Sequence, residues 1–189
     1  SYFEANANHI PQMAPKIVSA AIKSGIAAQD VQILAPMYRG QAGINNLNTI
    51  MQDLLNPQEK ANQFAFNDIF FRKNDKILHL VNDTELNVFN GDIGIITDLI
   101  PGKYTESKQD EIYMSFDGNE VIYPRNEWSK ITLAYAMSIH KSQGSEFPVV
   151  ILPITRQSGR MLQRNLIYTA ITRAKSKLVM LGEIAAFDY

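Results

Sequence analysis

The spacing of apolar residues changes twice along this chain of 189 residues, near residue 66 and near residue 131. In the first and last parts, apolar residues at helical spacing alternate with short, continuously apolar runs. In the middle part, short strand-like segments lie between turn dipeptides. Helices that alternate with apolar strands predict a parallel α/β layer, and a series of short strands predicts a small barrel. The sequence therefore predicts an α/β fold in two halves, residues 1–65 and 131–189, with a β-barrel inserted at 66–130.

Three helices and four strands are predicted in the two outer halves. Ile10, Met13 and Ile17 recur at helical spacing, and Gly25 is placed to end that helix. Because Pro11 and Pro15 fall in the same stretch, the helix is expected to begin late. The other predicted elements are a helix at 44–55, a helix with Leu162, Leu166, Thr169 and Arg173 on one face, and strands at 31–36, 131–136, 149–153 and 178–182.

Turn signals divide the middle part into strands. Asp117 with Gly118 is a strong hairpin signal, and Asn90 with Gly91 is a second turn signal. Strands are therefore expected at 76–81, 93–100, 111–116 and 119–123, and the polar stretch 57–66 is expected to be a connection.

Charge divides the chain in the same way. Residues 66–130 hold seven basic and twelve acidic side chains, whereas residues 131–189 hold seven and three. The whole chain has a net charge of −1, so no global basic field indicates nucleic acid. It has no cysteine, which excludes disulfides, thiolate metal sites and a thiol nucleophile, and its three scattered histidines disfavour a histidine metal site. No apolar run approaches the roughly 18 residues that a membrane span needs.

Polar residues gather where ligands bind to open parallel sheets, beyond the carboxyl ends of the strands. Three such segments are expected to follow or face strand ends: 38–40, 138–146, and Thr172 with Arg173. Two arginines and a glycine-bearing loop near one crevice suit a polyphosphate, because the fixed donors of arginine match phosphate oxygens. Each of these signals taken alone is more often ordinary surface packing, a salt bridge or a turn.

Longer motifs in the same segments resemble one family. Residues 137–153 (MSIHKSQGSEFPVVILP) resemble motif V of superfamily 1 helicases and its extension. Residues 166–175 (LIYTAITRAK) resemble motif VI, and residues 33–48 (ILAPMYRGQAGINNLN) resemble motif IV. Together they are similar to the RecD-like branch, the exodeoxyribonuclease V alpha-subunit family. The strings NDKILHLVND and VFNGDIGIITDL of the middle part are similar to the SH3-like barrel of that branch.

The resemblance implies a fold and an ATP site. The outer halves would form a RecA-like second motor domain with a parallel sheet and flanking helices, interrupted by a small SH3-like β-barrel. Arg173 matches the arginine finger of motif VI, and Arg39 matches a motif IV arginine that is also directed at the γ-phosphate. Tyr38 would stack on the adenine, Gly144 would allow close approach to phosphate, and Glu146 would accept hydrogen bonds from the ribose. Gln143 would support these residues.

The resemblance also implies a track for single-stranded DNA. Ser138 and His140 match the Thr-x-His pattern that touches DNA phosphates, with serine in the place of threonine. Lys141 would add a salt-dependent phosphate contact or remain a solvated side chain. In the barrel, Phe70, Phe71 and Trp128 are candidates either for base stacking or for a core or hinge role, and Arg72 with Lys73 is a candidate basic spot.

What the sequence lacks shapes the functional prediction. The phosphate-binding string G-x-x-x-x-G-K-[ST] does not occur, and no metal-holding carboxylate can be identified. We therefore expect an excised second motor domain of an ATP-dependent 5′–3′ DNA helicase, inactive alone, with no metal ligand of its own. ATP and Mg²⁺ would be the cofactors, and a preceding motor domain in cis would hold the metal. The other expected partners are single-stranded DNA and, if the parent enzyme does not act alone, subunits of a nuclease complex, in the cytoplasm and without a membrane.

Two alternatives remain open from the sequence. The chain is also compatible with a stand-alone nucleic-acid-binding or protein-binding module that has kept a degenerate motor fold. The second alternative is a mobile-element or relaxase-type helicase with other partners, which residues outside this chain would distinguish.

Overall fold

The computed structural model describes residues 2–4, 8–155 and 164–182. The chain divides into two compact units: an α/β unit, Ser1–Leu55 with Tyr135–Tyr189, and an insert unit, Asn56–Ala134. In chain order, the described helices and strands are β1 Tyr2–Glu4, α1 Ile10–Lys23, β2 Val31–Ala35, α2 Ile44–Leu55, β3 Gln63–Phe66, β4 Ile69–Arg72, β5 Lys76–His79, β6 Ile93–Ile100, β7 Glu111–Phe116, β8 Asn119–Pro124, β9 Ile131–Leu133, β10 Ala136–Ser138, β11 Phe147–Ile154, α3 Arg164–Arg173 and β12 Ala174–Gly182.

A parallel sheet is the centre of the α/β unit. Within the described residues it has five strands in the order β1-β12-β11-β2-β10, and every pair is parallel. All five residues of β2 are buried, as are seven of the eight in β11. A sheet that reads as continuous apolar runs needs cover from other elements. Helices α1 and α3 contact β11 and β12, and α2 contacts β10. The predicted α/β sheet with flanking helices is confirmed.

Helix α1 begins earlier than the sequence analysis expected. It starts at Ile10, so that Pro11 lies in the first turn, where a backbone N–H has no helical partner in any case. Pro15 lies inside the helix, so the expectation of a late start is wrong. At the other end, Gly25 has a φ of +104°, and the N–H of Ile26 bonds the carbonyl of Ala21 at 3.2 Å, which is the glycine-ended closure that the sequence predicted.

An antiparallel sheet is the centre of the insert unit. Its strand order is β8-β7-β6-β5-β9, and β3 and β4 form a separate hairpin. Strands β6 and β7 have the bounds that the sequence predicted. Asp117 and Gly118 connect β7 to β8 with φ values of +51° and +84°, as a tight hairpin turn of the primed type requires.

The insert unit is longer than the predicted insert 66–130. Strand β3, in a stretch expected to be a connection, pairs with β4 and therefore belongs to this unit. At the start of the unit, the Asn56 side chain donates to Asp75 Oδ1 at 2.8 Å and to the carbonyl of Lys73 at 2.9 Å. At its end, the expected single strand 131–136 is two strands, because β9 pairs with β5 and β10 pairs with β2.

Aromatic side chains fill part of the insert core. Trp128 is fully buried, and its ring is stacked on that of Phe64 with 5.6 Å between the ring centroids. Its indole N–H donates to the carbonyl of Tyr123 at 2.9 Å. Phe71 is also fully buried, with an edge contact to Trp128. These two rings are therefore core residues and not base-stacking surfaces, whereas Phe70 is 44% exposed.

A chain of polar groups crosses the same core. His79 is buried; its Nδ1 lies 2.6 Å from the carbonyl of Val81, and its Nε2 lies 2.8 Å from Tyr123 Oη. The Tyr123 hydroxyl donates to Asp83 Oδ2 at 3.2 Å, and the N–H of Leu86 donates to Asp83 Oδ1 at 3.2 Å. The backbone hydrogen bond from Leu86 is the main cause that lowers the pKa of Asp83, and burial raises the pKa of Tyr123.

Candidate nucleotide and nucleic-acid site

The loop that follows β2 is folded back onto the start of α2. Ile44 N–H donates to the carbonyl of Met37 at 2.9 Å, and Asn45 N–H donates to the carbonyl of Tyr38 at 3.1 Å. These bonds satisfy the first donors of the helix, which would otherwise be open to an anion. Tyr38 is 52% exposed and Arg39 is exposed, so both side chains are presented at the carboxyl end of β2.

The segment that follows β10 begins with a tight 3-10 turn. Ser138 is buried at the end of the strand, and its Oγ accepts a hydrogen bond from the backbone N–H of Lys141 at 3.1 Å. The turn His140–Ser142 comes next, and its buried Ser142 hydroxyl donates to the carbonyl of Ile139 at 2.5 Å. His140 is exposed and Lys141 is half-buried. Ser138 therefore shapes the turn that presents His140 and Lys141.

The segment from Gln143 to Phe147 leads to the start of β11. Gln143, Gly144 and Glu146 are exposed. Gly144 has a φ of +83°, and nothing lies within 4 Å of the position that a Cβ would take. Glycine is needed there for its backbone conformation, and the space beside it is open to a ligand.

Arg173 holds this segment from the end of α3. Its Nη1 donates to the carbonyl of Ser145 at 3.3 Å, and its Nη2 donates to Thr172 Oγ1 at 3.3 Å. Its Nε is buried and is the one such side-chain atom without a hydrogen-bond partner in the part of the chain that the structure describes. A buried unpaired donor costs about 1–3 kcal/mol. The sequence did not single out Ser145, since any residue can offer its carbonyl.

The parallel sheet separates the predicted site residues into two groups. Arg39 follows the carboxyl end of β2, and Ser138 ends the neighbouring strand β10 at the same edge. Arg173 directly precedes β12, and Ala174 is level with Phe147 at the start of β11, so Arg173 lies at the opposite, amino edge. The expectation that Thr172 and Arg173 lie beyond carboxyl ends is therefore wrong, because α3 runs into β12 without a loop.

The described residues offer few other features for a metal or a membrane. No group of three or more His, Asp or Glu side chains there could hold a metal ion. In the same ranges, no helix has the length and apolar character that crossing a bilayer requires. Of the helix face predicted around Arg173, Leu162 and the Leu166 side chain lie outside the described residues. In the insert, Arg72 is buried with its Nε donating to Gln63 Oε1 at 2.8 Å, so it does not form a basic surface spot.

Two family models match parts of the chain. The UvrD-like helicase C-terminal domain matches residues 133–181, which contain the turn after β10 and Arg173. The SH3 domain of ATP-dependent RecD-like DNA helicases matches residues 47–116, most of which lie in the insert unit.

Curated relatives agree with these models. The ATP-dependent RecD2 DNA helicase of Deinococcus radiodurans is 33% identical over 158 residues, 84% of this chain. The RecBCD enzyme subunit RecD of Mycolicibacterium smegmatis is 28% identical over 151 residues, 80% of this chain. The chain spans 21% and 25% of the lengths of these two relatives.

Solved structures show the same fold at low sequence identity. A Pif1 helicase from a study of two coordinating helicases at forked double-stranded DNA has a TM-score of 0.55 at 18% identity, covering 92% of this chain and 45% of that one. The Pif1 helicase of Candida albicans has a TM-score of 0.52 at 14% identity, covering 78% and 45%. The fold is therefore a RecA-like helicase motor domain interrupted by an SH3-like insert. The chain belongs to the RecD-like superfamily 1 helicases, as part of their C-terminal region.

Proposed function

We propose that this chain is the second motor domain of an ATP-dependent 5′–3′ DNA helicase, and that its two sheet edges serve different ligands. The amino edge around Arg173 contributes to the ATP site, and the carboxyl edge around Ser138 contributes to the single-stranded DNA track. The observation that carries the proposal is Arg173, whose guanidinium is held by the Ser145 carbonyl while its buried Nε lacks a protein partner.

The residues around Arg173 fit a nucleotide phosphate. Its guanidinium is a permanent charge with several donors, and the open space at Gly144 admits a ligand close to the backbone. ATP supplies the phosphoryl group whose transfer develops negative charge, and an arginine positioned there stabilises that charge. Glu146 is exposed on the same segment and accepts hydrogen bonds from ribose hydroxyls, with Gln143 beside it as support. A carboxylate is an acceptor only, which suits hydroxyl groups and not phosphate.

The carboxyl edge fits the backbone of a single strand. His140 and Lys141 are presented by the turn that Ser138 closes. Arg39 and Tyr38 follow the neighbouring strand β2 at this same edge. Cationic side chains with an exposed aromatic ring are the usual components of a surface that grips phosphates and stacks bases. We therefore assign Tyr38 and Arg39 to the DNA track.

This assignment departs from the γ-phosphate and adenine roles that the motif resemblance implied for Arg39 and Tyr38. Five residues of β2 separate the level of Arg173 from that of Arg39, which is about 16 Å at 3.3 Å per residue. At that separation, both guanidinium groups would reach one γ-phosphate only if the two side chains extended toward each other along the sheet.

The proposal requires a partner domain. The chain lacks the Walker A string, so the phosphate cradle and the Mg²⁺ ligands must come from a preceding motor domain of the same enzyme. ATP would then be bound between the two domains, and Mg²⁺ is assigned no ligand among the described residues. An enzyme of this kind works where DNA and ATP occur together, in the cytoplasm, either alone or with subunits of a nuclease complex.

The test is a separation of functions in the helicase that contains this chain. Arg173→Ala is expected to reduce DNA-stimulated ATP turnover by about 10³-fold or more, as loss of an arginine finger does, while affinity for single-stranded oligonucleotides stays within a factor of two or so. Arg39→Ala is expected to do the reverse, with weaker and less salt-dependent DNA binding. Steady-state ATPase assays and fluorescence anisotropy at several salt concentrations measure both.

Three results would contradict this proposal. Normal hydrolysis by Arg173→Ala would remove the ATP role. Loss of hydrolysis by Arg39→Ala with intact DNA binding would return Arg39 to the nucleotide. DNA-stimulated hydrolysis by the 189-residue chain alone would contradict the need for a second domain, whereas DNA binding without any role in hydrolysis would favour the stand-alone binding module.

A further inference from the structure

Strand β10 is the edge of the described parallel sheet, and one side chain of α2 is paired with it. Asn48 Nδ2 donates to the carbonyl of Ala136 at 3.0 Å, and the N–H of Ala136 donates to Asn48 Oδ1 at 2.8 Å. The Asn48 side chain is 5% exposed. A single amide thus satisfies both backbone groups of one strand residue, as a neighbouring strand would.

The position of this amide in an apolar helix face is unusual. The same face of α2 buries Ile44, Leu47 and Met51, and a polar residue among them is tolerated only when it is hydrogen-bonded. An edge strand also has backbone groups without a strand partner, which need some other cover. Both requirements are met together by the Asn48–Ala136 pair.

The pair lies between the two segments assigned above to the DNA track. Asn48 is four residues from the start of α2, about 6 Å along the helix, and α2 follows the loop that carries Arg39. Ala136 is two residues before Ser138, about 7 Å along the strand, and Ser138 accepts the N–H of Lys141. The Asn48 amide is therefore a short, buried link from one of these segments to the other.

We propose that Asn48 is a positioning residue for DNA binding, and this inference rests on the proposed function. It fixes the spacing between Arg39 and the turn His140–Ser142, so that both reach phosphates of the same strand. A side-chain amide suits this task because it both donates and accepts in one plane, and therefore fixes direction as well as distance. A purely apolar contact at this position would bury similar area without fixing the register of β10.

The experiment compares two Asn48 variants with a core control in the helicase that contains this chain. Asn48→Asp keeps the shape and the acceptor but loses the donor to Ala136, and Asn48→Leu loses both hydrogen bonds. Leu47→Val is the control, since the Leu47 side chain is fully buried on α2 and makes no hydrogen bond to β10. The readouts are the salt dependence of binding to an oligo-dT strand, the melting temperature, and amide hydrogen exchange at Ala136.

The variants are expected to differ in the number of phosphates that they contact. For Asn48→Leu, the slope of log Kd against log salt should fall by about 0.7 to 1.4, the loss of one or two contacts to a single strand. For Asn48→Asp this slope should fall less. In both variants the amide hydrogen of Ala136 should exchange faster than in the wild type. Leu47→Val should keep the wild-type slope even if its melting temperature falls as far as that of the Asn48 variants. If Asn48→Leu does not fold, the same comparison is made with Asn48→Asp.

The outcomes distinguish failure of the Asn48 positioning role from failure of the proposed DNA track. A wild-type slope in both Asn48 variants, or an equal change of slope in Leu47→Val, would overturn the positioning role and leave the DNA track in place. Wild-type affinity and salt dependence of Arg39→Ala in the same helicase would overturn the track itself, and the positioning role with it. Faster exchange at Ala136 without any change in slope would show that the amide serves the fold alone.

Discussion

Two glycines beside the sheet edges are needed for different physical reasons. Gly144 has a φ of +83° with open space around its Cα, so a side chain there would be strained without touching anything. At Gly43 the backbone conformation is ordinary, but a Cβ would lie 2.3 Å from the carbonyl oxygen of Arg39. The first glycine is required by conformation, and the second is required by the close approach of its own loop.

Gly144→Ala is expected to lower the free energy of unfolding by about 1–2 kcal/mol, the cost of a left-handed conformation for an L-residue. Gly144→Asn should lower the free energy of unfolding less, because asparagine adopts this left-handed conformation more readily than alanine. Chemical denaturation of both variants measures the difference. If alanine is as stable as glycine, the positive φ does not persist in solution.

Gly43→Ala is expected to weaken DNA binding more than a substitution at Gly40 does. The Arg39 carbonyl is backbone and cannot swing away like a flexible side chain, so the loop from β2 to α2 must shift. We expect several-fold weaker affinity for single-stranded DNA, with Gly40→Asn as the control, since Gly40 has a φ of +86° but open space around it. Anisotropy titrations test this, and equal affinities for the two variants would argue against a role of this loop in the track.

At the scale of elements, proline shows what a local pattern can and cannot predict. The helix α1 contains Pro15 in its interior, where it leaves the carbonyl of Pro11 without its helical donor. The helix forms in spite of this because Ile10, Ala14 and Val18 are buried on one face. The apolar spacing predicted the helix correctly, and packing of that face outweighs the local cost of the proline.

Pro15→Ala is therefore expected to stabilise the α/β unit, by at most about 3 kcal/mol, the difference between proline and alanine inside a helix. Part of this gain should be offset by the greater freedom of the unfolded chain. Pro11→Ala is the matched control and should change stability little, since Pro11 is in the first turn. Thermal unfolding followed by circular dichroism compares them, and an equal shift in both variants would contradict the explanation.

Strand boundaries could also be predicted from the sequence only where a local signal marks them. Strands β6 and β7 could be predicted because turn dipeptides or a proline-glycine break stand beside them. The split of 131–136 into β9 and β10 could not, because both pieces are apolar and only their partners differ. Strand β3 was missed because a short strand is recognisable mainly through the strand with which it pairs.

At the scale of the whole molecule, each compact unit has its own buried core. The insert unit contains the one tryptophan of the sequence, Trp128, which is fully buried. Its fluorescence therefore reports on the insert unit alone, whereas circular dichroism reports on the whole chain. This makes the polar network of His79, Tyr123 and Asp83 accessible to measurement.

Stability of the insert unit is expected to depend on pH through Asp83. Its pKa is lowered in the folded chain by the Leu86 N–H, so the charged carboxylate favours the folded state. This contribution is complete above the unfolded pKa of about 3.9 and is lost as pH falls through the lower folded value. Urea unfolding followed by Trp128 fluorescence should show a loss of stability below about pH 4.

Asp83→Asn is the corresponding variant. It should be less stable than the wild type near pH 7, because the ionised acceptor is lost, and the difference should shrink on acidification. Glu85→Gln is the control, since Glu85 is an exposed carboxylate in the same loop. A difference between Asp83→Asn and the wild type that stays constant from pH 7 to pH 3 would contradict the linkage.

The sequence by itself determined the classes of elements, the insertion of one unit into another and the family, because apolar periodicity, turn residues and motif strings are local properties. It also singled out Arg173, Ser138 and Gly144 as residues for chemistry. Tertiary structure alone decided which of them meet. The direction of the strands puts Arg39 and Arg173 at opposite edges of one sheet, and the pairing of Asn48 with Ala136 joins residues 88 positions apart. Such relations depend on which strands become neighbours, and no local pattern specifies that.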